Sequence, residues 1–342
     1  MTVPTSPVPI AICVPARNEA ASLPLLFTAL DRLDRRGVDL KICLLLDSCH
    51  DASMQVAHAY AAHTVLPVIV EQIVQADPNA GRARHAAMLL GMAALDGPGL
   101  LLSTDADSVP EAGWLQAMVA GCRAAEVVAG RVVRTVTQAH AVQDRIEAYY
   151  DTLHALRRTL DPVSWEARAT HHHASSANLG MSVDSYQALG GFLPLTHGED
   201  GRLIDDATRA GLRVRRDAAS VVYTSDRRVG RVALGFAGSL RALDRGDDAV
   251  EVAHPRDAIW QYRRHAIARA AFATGDFTAL AMAIGLTDDH VLGVARDCSN
   301  AEAFAMRVVP TPPAGMRRVP LAVAEAEVSV LCAAMPPGRR AA

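Results

Sequence analysis

Leu100-Leu101-Leu102-Ser103-Thr104-Asp105-Ala106-Asp107 is a short apolar run that ends in two carboxylates on alternate residues. A run apolar on both faces reads as a strand buried on both sides, as in a parallel sheet covered by helices. The same signature recurs upstream. Val8 to Val14 is apolar and ends at Pro15, Leu40 to Leu46 is apolar apart from Lys41 and runs into Asp47-Ser48-Cys49-His50-Asp51, and Val65 to Val70 is a third run. Helical patterns lie between these runs. Leu23, Leu26, Phe27, Leu30 and Leu33 recur at helical spacing and Gly37 closes that helix. Asp51 is the expected N-cap of a helix reaching about Ala62, and Gly81 to Leu95 reads as a third helix. Strand and helix in alternation imply an α/β fold, a Rossmann-like, mostly parallel sheet flanked by helices. Ligands on such sheets bind at the carboxyl ends of the strands, where the polar clusters after residues 14, 46 and 102 fall.

Further along, Ser108 to Trp114 reads as the opening of a helix, Glu126 to Val133 as a strand and Ala139 to Leu160 as a long helix. Ser175 to Val183 is expected to be extended and Asp200 to Ala210 helical, with Val214 and Val221 to Tyr223 as two separate short strands. From about Arg231 the pattern is mainly helical, with turn signals at Gly246, His254-Pro255 and Gly275. Ile259, Trp260, Ile267 and Phe272 in this part each need an apolar surface to bury against. The tail from about Pro310 to Ala342, rich in Pro, Ala and Arg, is expected to pack loosely or fray.

Composition narrows the function classes. The chain has 342 residues, which suits one large domain or two small ones. A net charge of −3 without a long basic block argues against a nucleic-acid binder. Met1 to Pro9 lacks the charged and apolar regions of a signal peptide, and no apolar window is long enough to span a bilayer. Peripheral contact with a membrane stays open. The 6 cysteines show no C-x-x-C spacing, so a zinc or redox motif is not expected and the reducing cytosol is the expected compartment.

Several residues carry candidate chemistry. Asp105 and Asp107, at a strand end, suit a hard cation such as Mg²⁺ or Mn²⁺, which takes oxygen ligands and shares them with substrate phosphates. Glu199-Asp200 precedes an apparent helix, where a carboxylate serves equally as a helix-start charge or as a general base. Arg17, Arg82 and Arg84 are candidates for diphosphate binding, with a solvated helix face as the plain alternative. His171-His172-His173 reads as a polar loop, because adjacent histidines cannot all face one ion in regular structure.

Taken in order, these segments resemble the family 2 glycosyltransferases with the GT-A fold. Val14-Pro15-Ala16-Arg17-Asn18-Glu19 is similar to the family's opening nucleotide-binding strand and turn, and Leu46 to Asp51 to its second-strand segment. Gly81-Arg82-Ala83-Arg84-His85 resembles its basic stretch near the donor, and Thr104-Asp105-Ala106-Asp107-Ser108 its metal-binding motif. Ala177 to Met181, then Leu189-Gly190-Gly191-Phe192, resembles the acceptor-side segment, and Gly198-Glu199-Asp200 the catalytic acidic pair. The resemblance implies a GT-A catalytic domain over 1–231 and a mainly helical C-terminal extension over 232–342. It implies a metal-dependent enzyme that moves a sugar from a nucleotide-diphosphate donor to an acceptor hydroxyl by an inverting displacement, with a retaining outcome, the acceptor's identity and the oligomeric state left open. In that reading Asp200 is the base with Glu199 as its competitor. Pro15, Ala16, Arg17, Glu19, Asp47, Arg84 and Asp105 meet the donor, and Asp107 with Asp105 holds Mn²⁺ or Mg²⁺. Leu46 stands where many members have an Asp, and Tyr223-Thr224-Ser225-Asp226 lacks the family's late histidine. The Gln-x-x-Arg-Trp motif of processive synthases is absent, which points to single addition. The alternatives are a sugar-nucleotide nucleotidyltransferase and a degenerate GT-A binding protein.

Overall fold

The computed structural model describes residues 6–77, 79–135, 141–225 and 250–335. These residues form two compact units. One is built from stretches within 1–138, 167–206 and 214–239, the other from stretches within 139–166, 207–213 and 240–342. The boundary expected near 231 lies outside the described residues, as do the turn signal at Gly246 and the end of the tail.

The first unit is organised around β1 (Val8–Ala16), whose residues Ile10 to Val14 are completely buried. It pairs in parallel with β2 (Val38–Asp47) on one side and β4 (Leu100–Thr104) on the other, and β3 (Val68–Ile73) continues the parallel run beyond β2. Past β4 the direction changes. β7 (Asn178–Ser182) lies antiparallel between β4 and β6 (Val127–Thr135). β8 (Val214–Ser225) then runs parallel to β6, and β5 (Ser108–Pro110) closes the edge antiparallel to β8. The order across this eight-stranded sheet is β3-β2-β1-β4-β7-β6-β8-β5. This is the α/β, mostly parallel architecture that the alternating pattern implies.

Helices α1 (Leu23–Asp31), α2 (Ser53–His63), α3 (Ala80–Leu95) and α4 (Trp114–Ala124) connect the strands. Leu23, Leu26 and Leu30 of α1 and Trp114, Leu115 and Met118 of α4 share one apolar core with Ile10, Ile12, Ile42 and Leu44. Tight packing of α3 on the sheet depends on Gly91, where an added Cβ would lie 2.4 Å from Cys13 Sγ. All six cysteines are free thiols. Helices α6 (Val183–Ala188) and α7 (Glu199–Arg209) follow β7.

Four local expectations are corrected. The third strand starts at Val68 rather than Val65, because Pro67 has no N–H to give to the ladder; Val65 is exposed. Helix α2 begins at Ser53 with Ala52 as N-cap, and Asp51 instead accepts from the Ser53 N–H at 3.0 Å from just outside the helix. Residues 108–110 form a strand before α4, since Val109 finds a partner in Tyr223. Val214 and Val221 belong to one strand, not two. The register jumps from Gly130 opposite Asp217 to Arg131 opposite Val221, so Ala218 to Ser220 bulge out, and Ala218 N–H bonds Ala169 O at 3.1 Å.

In the second unit, α5 (Ala141–Leu160) buries Tyr149, Leu153 and Leu156 in one cluster with Ala258 and Ile259 of α8 (Pro255–Thr274) and Leu321, Ala324 and Val328 of α12 (Leu321–Ala333). A second cluster joins α8 to α9 (Thr278–Ile284), α10 (Asp288–Arg296) and α11 (Ala301–Val308) around Phe304. Ile259, Trp260 and Phe272 find the apolar surroundings they need, whereas Ile267 is 38% exposed. The first part of the tail does not fray. β9 (Glu251–Ala253) pairs with β10 (Arg318–Pro320), and α12 follows directly. Arg269 sits between Asp161 and Glu302, an ion network inside this unit. Among the described residues no helix is long and apolar enough to cross a membrane.

Candidate active site

Strands β1, β2 and β4 are mutually parallel, so their carboxyl ends fall on one edge of the sheet. That edge brings together the loop after β1, holding Arg17 and Glu19, the loop after β2, which begins at Asp47, and the Asp105 segment after β4. Two non-glycine residues adopt the left-handed conformation here, Asn18 at φ 52° and Ser48 at φ 50°. The strain is offset by hydrogen bonds that lock the first two loops together. Asn18 Oδ1 accepts from His50 N–H at 2.7 Å, Glu19 N–H donates to Ser53 Oγ at 2.8 Å, and Ala20 N–H donates to Asp51 Oδ2 at 3.0 Å.

The expected donor-side residues differ in their surroundings. Pro15 and Arg17 are half-buried, and Ala16 is buried at the end of β1. Glu19 is only 4% exposed and its Oε2 accepts from Ser22 Oγ at 2.9 Å, which ties it to its own loop. Asp47 is buried too. Its Oδ1 accepts from Ser48 Oγ at 2.9 Å and its Oδ2 from Gln75 Nε2 at 2.8 Å.

Helix α3 carries the basic stretch. Arg82 is exposed, while Arg84 turns inward. Arg84 Nη1 lies 2.5 Å from Asp105 Oδ1 and its Nε lies 2.8 Å from Glu199 Oε1. One guanidinium therefore gathers the acid after β4 and the acid that opens α7. Burial works against the charge on Arg84, but Asp105 and Glu199 outweigh it and its pKa rises. Asp105 O accepts from Ser108 N–H at 3.1 Å, and this turn contains Asp107, which is half-buried.

Glu199 and Asp200 point to different partners. Glu199 faces Arg84, whereas Asp200 Oδ1 accepts from Gly201 N–H at 2.7 Å and Oδ2 from Ser176 N–H at 3.4 Å. Burial pushes the Asp200 pKa up, Arg84 pulls it down, and the charge of Glu199 adds to the rise. A carboxyl poised above its ordinary value, next to a fixed cation, is chemically suited to accept a proton.

Asp105 and Asp107 offer oxygen donors only, the chemistry a hard divalent cation takes. Among the described residues no group of three His, Cys, Asp or Glu is arranged to hold a metal. Mg²⁺ characteristically uses one or two carboxylates and completes its shell with phosphates and water. His171, His172 and His173 form a loop outside any helix or strand, as expected. His171 is almost fully buried, and burial with the nearby His173 and Arg216 lowers its pKa to about 3. Asp226 lies outside the described residues.

Three contributors were not anticipated from the sequence. Gln75 and Ser176 carry no sequence signal, since their roles come from neighbours far along the chain. Asn79 was readable as an N-cap before Ala80, and its side chain does accept from Arg82 N–H.

Residues 11–178 match the sequence family described as glycosyl transferase family 2. The segment belongs to that family. The match identifies a glycosyltransferase domain within the chain. No curated protein matches the transferase significantly. Its fold is similar to that of several solved structures at low identity. TarS 1–349 of S. aureus in complex with UDP-GlcNAc is 14% identical, covers 88% of this chain and 90% of its own, and gives a TM-score of 0.48. The mannosyltransferase PcManGT from Pyrobaculum calidifontis, in complex with GDP-Man and Mn²⁺, is 15% identical, with 98% of this chain and 78% of that chain covered and a TM-score of 0.48. Glucosyl-3-phosphoglycerate synthase from Mycobacterium tuberculosis, with Mn²⁺, UDP-glucose and phosphoglyceric acid, is 20% identical over 72% of this chain and 84% of that chain, with a TM-score of 0.45.

Proposed function

We propose that this transferase moves a sugar from a nucleotide-diphosphate donor to an acceptor hydroxyl in a single, inverting, non-processive step, with Asp200 as general base. The observation that carries the reading is Arg84, whose guanidinium draws the Asp105 segment and the Glu199-Asp200 pair to one place at the carboxyl edge of the sheet. In this reading the donor lies along the loops after β1 and β2, with Pro15, Ala16, Arg17 and Asp47 toward the nucleotide. Glu19 supports that loop from inside. The lack of a Gln-x-x-Arg-Trp motif supports single addition.

Asp105 and Asp107 are the residues that would hold Mn²⁺ or Mg²⁺, which when bound neutralises charge on a departing diphosphate. Arg84 holds Asp105 and Glu199 in place and keeps positive charge beside them. Asp200 is left to accept the proton of the acceptor hydroxyl as the new glycosidic bond forms and the bond to the diphosphate breaks. The direct test is a thermal-shift screen of nucleoside diphosphates and nucleotide sugars with and without Mn²⁺, because a ligand of the folded state raises the melting temperature by mass action. A chain that responds to none of them is not a nucleotide-sugar transferase.

A further inference from the structure

The loop that delivers Glu199 and Asp200 is fastened to the first turn of α3 by its backbone. Asn79 Nδ2 donates to Pro194 O at 2.9 Å, and Gly81 N–H donates to Leu195 O at 2.9 Å. The approach is so close that a Cβ on Gly81 would lie 1.9 Å from Leu193 O and 2.8 Å from Leu195 N. No other residue type fits at 81 without moving the loop. Leu193 and Leu195 themselves are 38% and 37% exposed, so part of each side chain stays in water. Just beyond, Gly198 (φ 75°) turns the chain into α7, whose first residues are the two acids. One turn along α3, Arg84 grips Glu199. A single helix therefore holds this segment at two points, by backbone at 79–81 and by charge at 84.

We propose that Asn79 and Gly81 are positioning residues for sugar transfer: they fasten the 193–198 loop so that Asp200 meets the acceptor at the reacting distance. The proposal rests on the reading of Asp200 as base. Placement errors of about 1 Å typically cost on the order of 10²-fold in rate.

Asn79 performs two separable tasks, which makes the idea testable. Its Oδ1 caps α3 by accepting from Arg82 N–H at 2.9 Å, while its Nδ2 holds Pro194 O. Asp and Ser are equally good N-caps but cannot make the second bond from this position. Asn79→Asp and Asn79→Ser are therefore expected to fall less in melting temperature than Asn79→Ala, to bind UDP or GDP as the wild type does, and to lose about 10- to 100-fold in kcat. Hydrogen exchange, which needs no substrate, is expected to be faster across residues 193–203 in both variants. Gly81→Ala is expected to show the same faster exchange together with the rate loss. Wild-type turnover in the two Asn79 variants overturns the proposal, whatever the exchange shows. So does lost turnover without faster exchange, or a fall in melting temperature as large as that of Asn79→Ala, which would mark a purely structural role. If Asp200→Asn keeps full turnover while the Asn79 variants slow, the base reading fails and the tether stands, serving Glu199.

Discussion

Arg84 and Glu199, 115 residues apart in the chain, meet at 2.8 Å, and both side chains are largely removed from water. Breaking a buried pair by removing one partner leaves the other charge uncompensated, which typically costs about 3–5 kcal/mol. Arg84→Met leaves Asp105 and Glu199 both without their cation, so a loss of about 3 kcal/mol or more is expected in urea denaturation. Glu199→Gln keeps an oxygen acceptor for Arg84 and should cost only about 1 kcal/mol. Equal stability of Arg84→Met and the wild type would show that the cluster is not formed in solution.

Asp200→Asn is expected to lose about 10²–10⁴-fold in turnover with donor affinity retained. Its stability should move the other way. Burial raises the Asp200 pKa in the folded state, so the fold binds this proton more tightly than the unfolded chain does. That contribution is present at low pH and is lost as pH rises through the raised value. At neutral pH the amide removes the cost of a buried charge, and Asp200→Asn should melt no lower than the wild type. Turnover beside a melting curve at pH 7 checks both halves.

Calorimetry of UDP and GDP with Mn²⁺, and again with EDTA, tests the two aspartates after β4. Tight binding is expected only with the ion. Asp107→Asn should weaken the metal-dependent part of the binding. Equal affinity with and without metal would remove Asp105 and Asp107 from that role.

Acid should weaken the fold through His171 and His265. Burial, with the positive charges of Arg269 and Arg209, lowers the His265 pKa to about 4, and His171 falls to about 3. Because the unfolded chain takes up these protons near pH 6.5, stability is intact above that value and is lost as pH falls from about 6.5 toward 4. Each histidine steepens the loss by about 1.4 kcal/mol per pH unit within that window. Denaturation midpoints for His265→Gln should fall less between pH 6.5 and 4.5 than those of the wild type.

The sequence by itself determined the kind of fold and the cast of the site. Ile42 to Leu46 and Leu101-Leu102 are apolar on both faces, and only a strand covered on both sides of a sheet can bury them so. The Asp and Ser residues that follow had to fall at the carboxyl edge, because every strand of a parallel set ends on the same side. Asp105 could therefore be placed at that edge, while Arg84 and Glu199 were named through the resemblance of their segments to the family's. Their meeting could not be read in this way, since a salt bridge between residues 115 positions apart depends on how β4, α3 and α7 are stacked. Tertiary structure alone decided that Glu19 turns inward to its own loop and that Asp47 turns inward to accept from Ser48 and from Gln75 beyond β3. It also merged Val214 and Val221 into one bulged strand, because that strand needed β6 beside it to define its register. The close approach of Gly81 to Leu193 and Leu195 is of the same kind. A glycine is visible in any sequence, but the carbonyl that fills the space where its Cβ would be is visible only once the chain has folded back on itself.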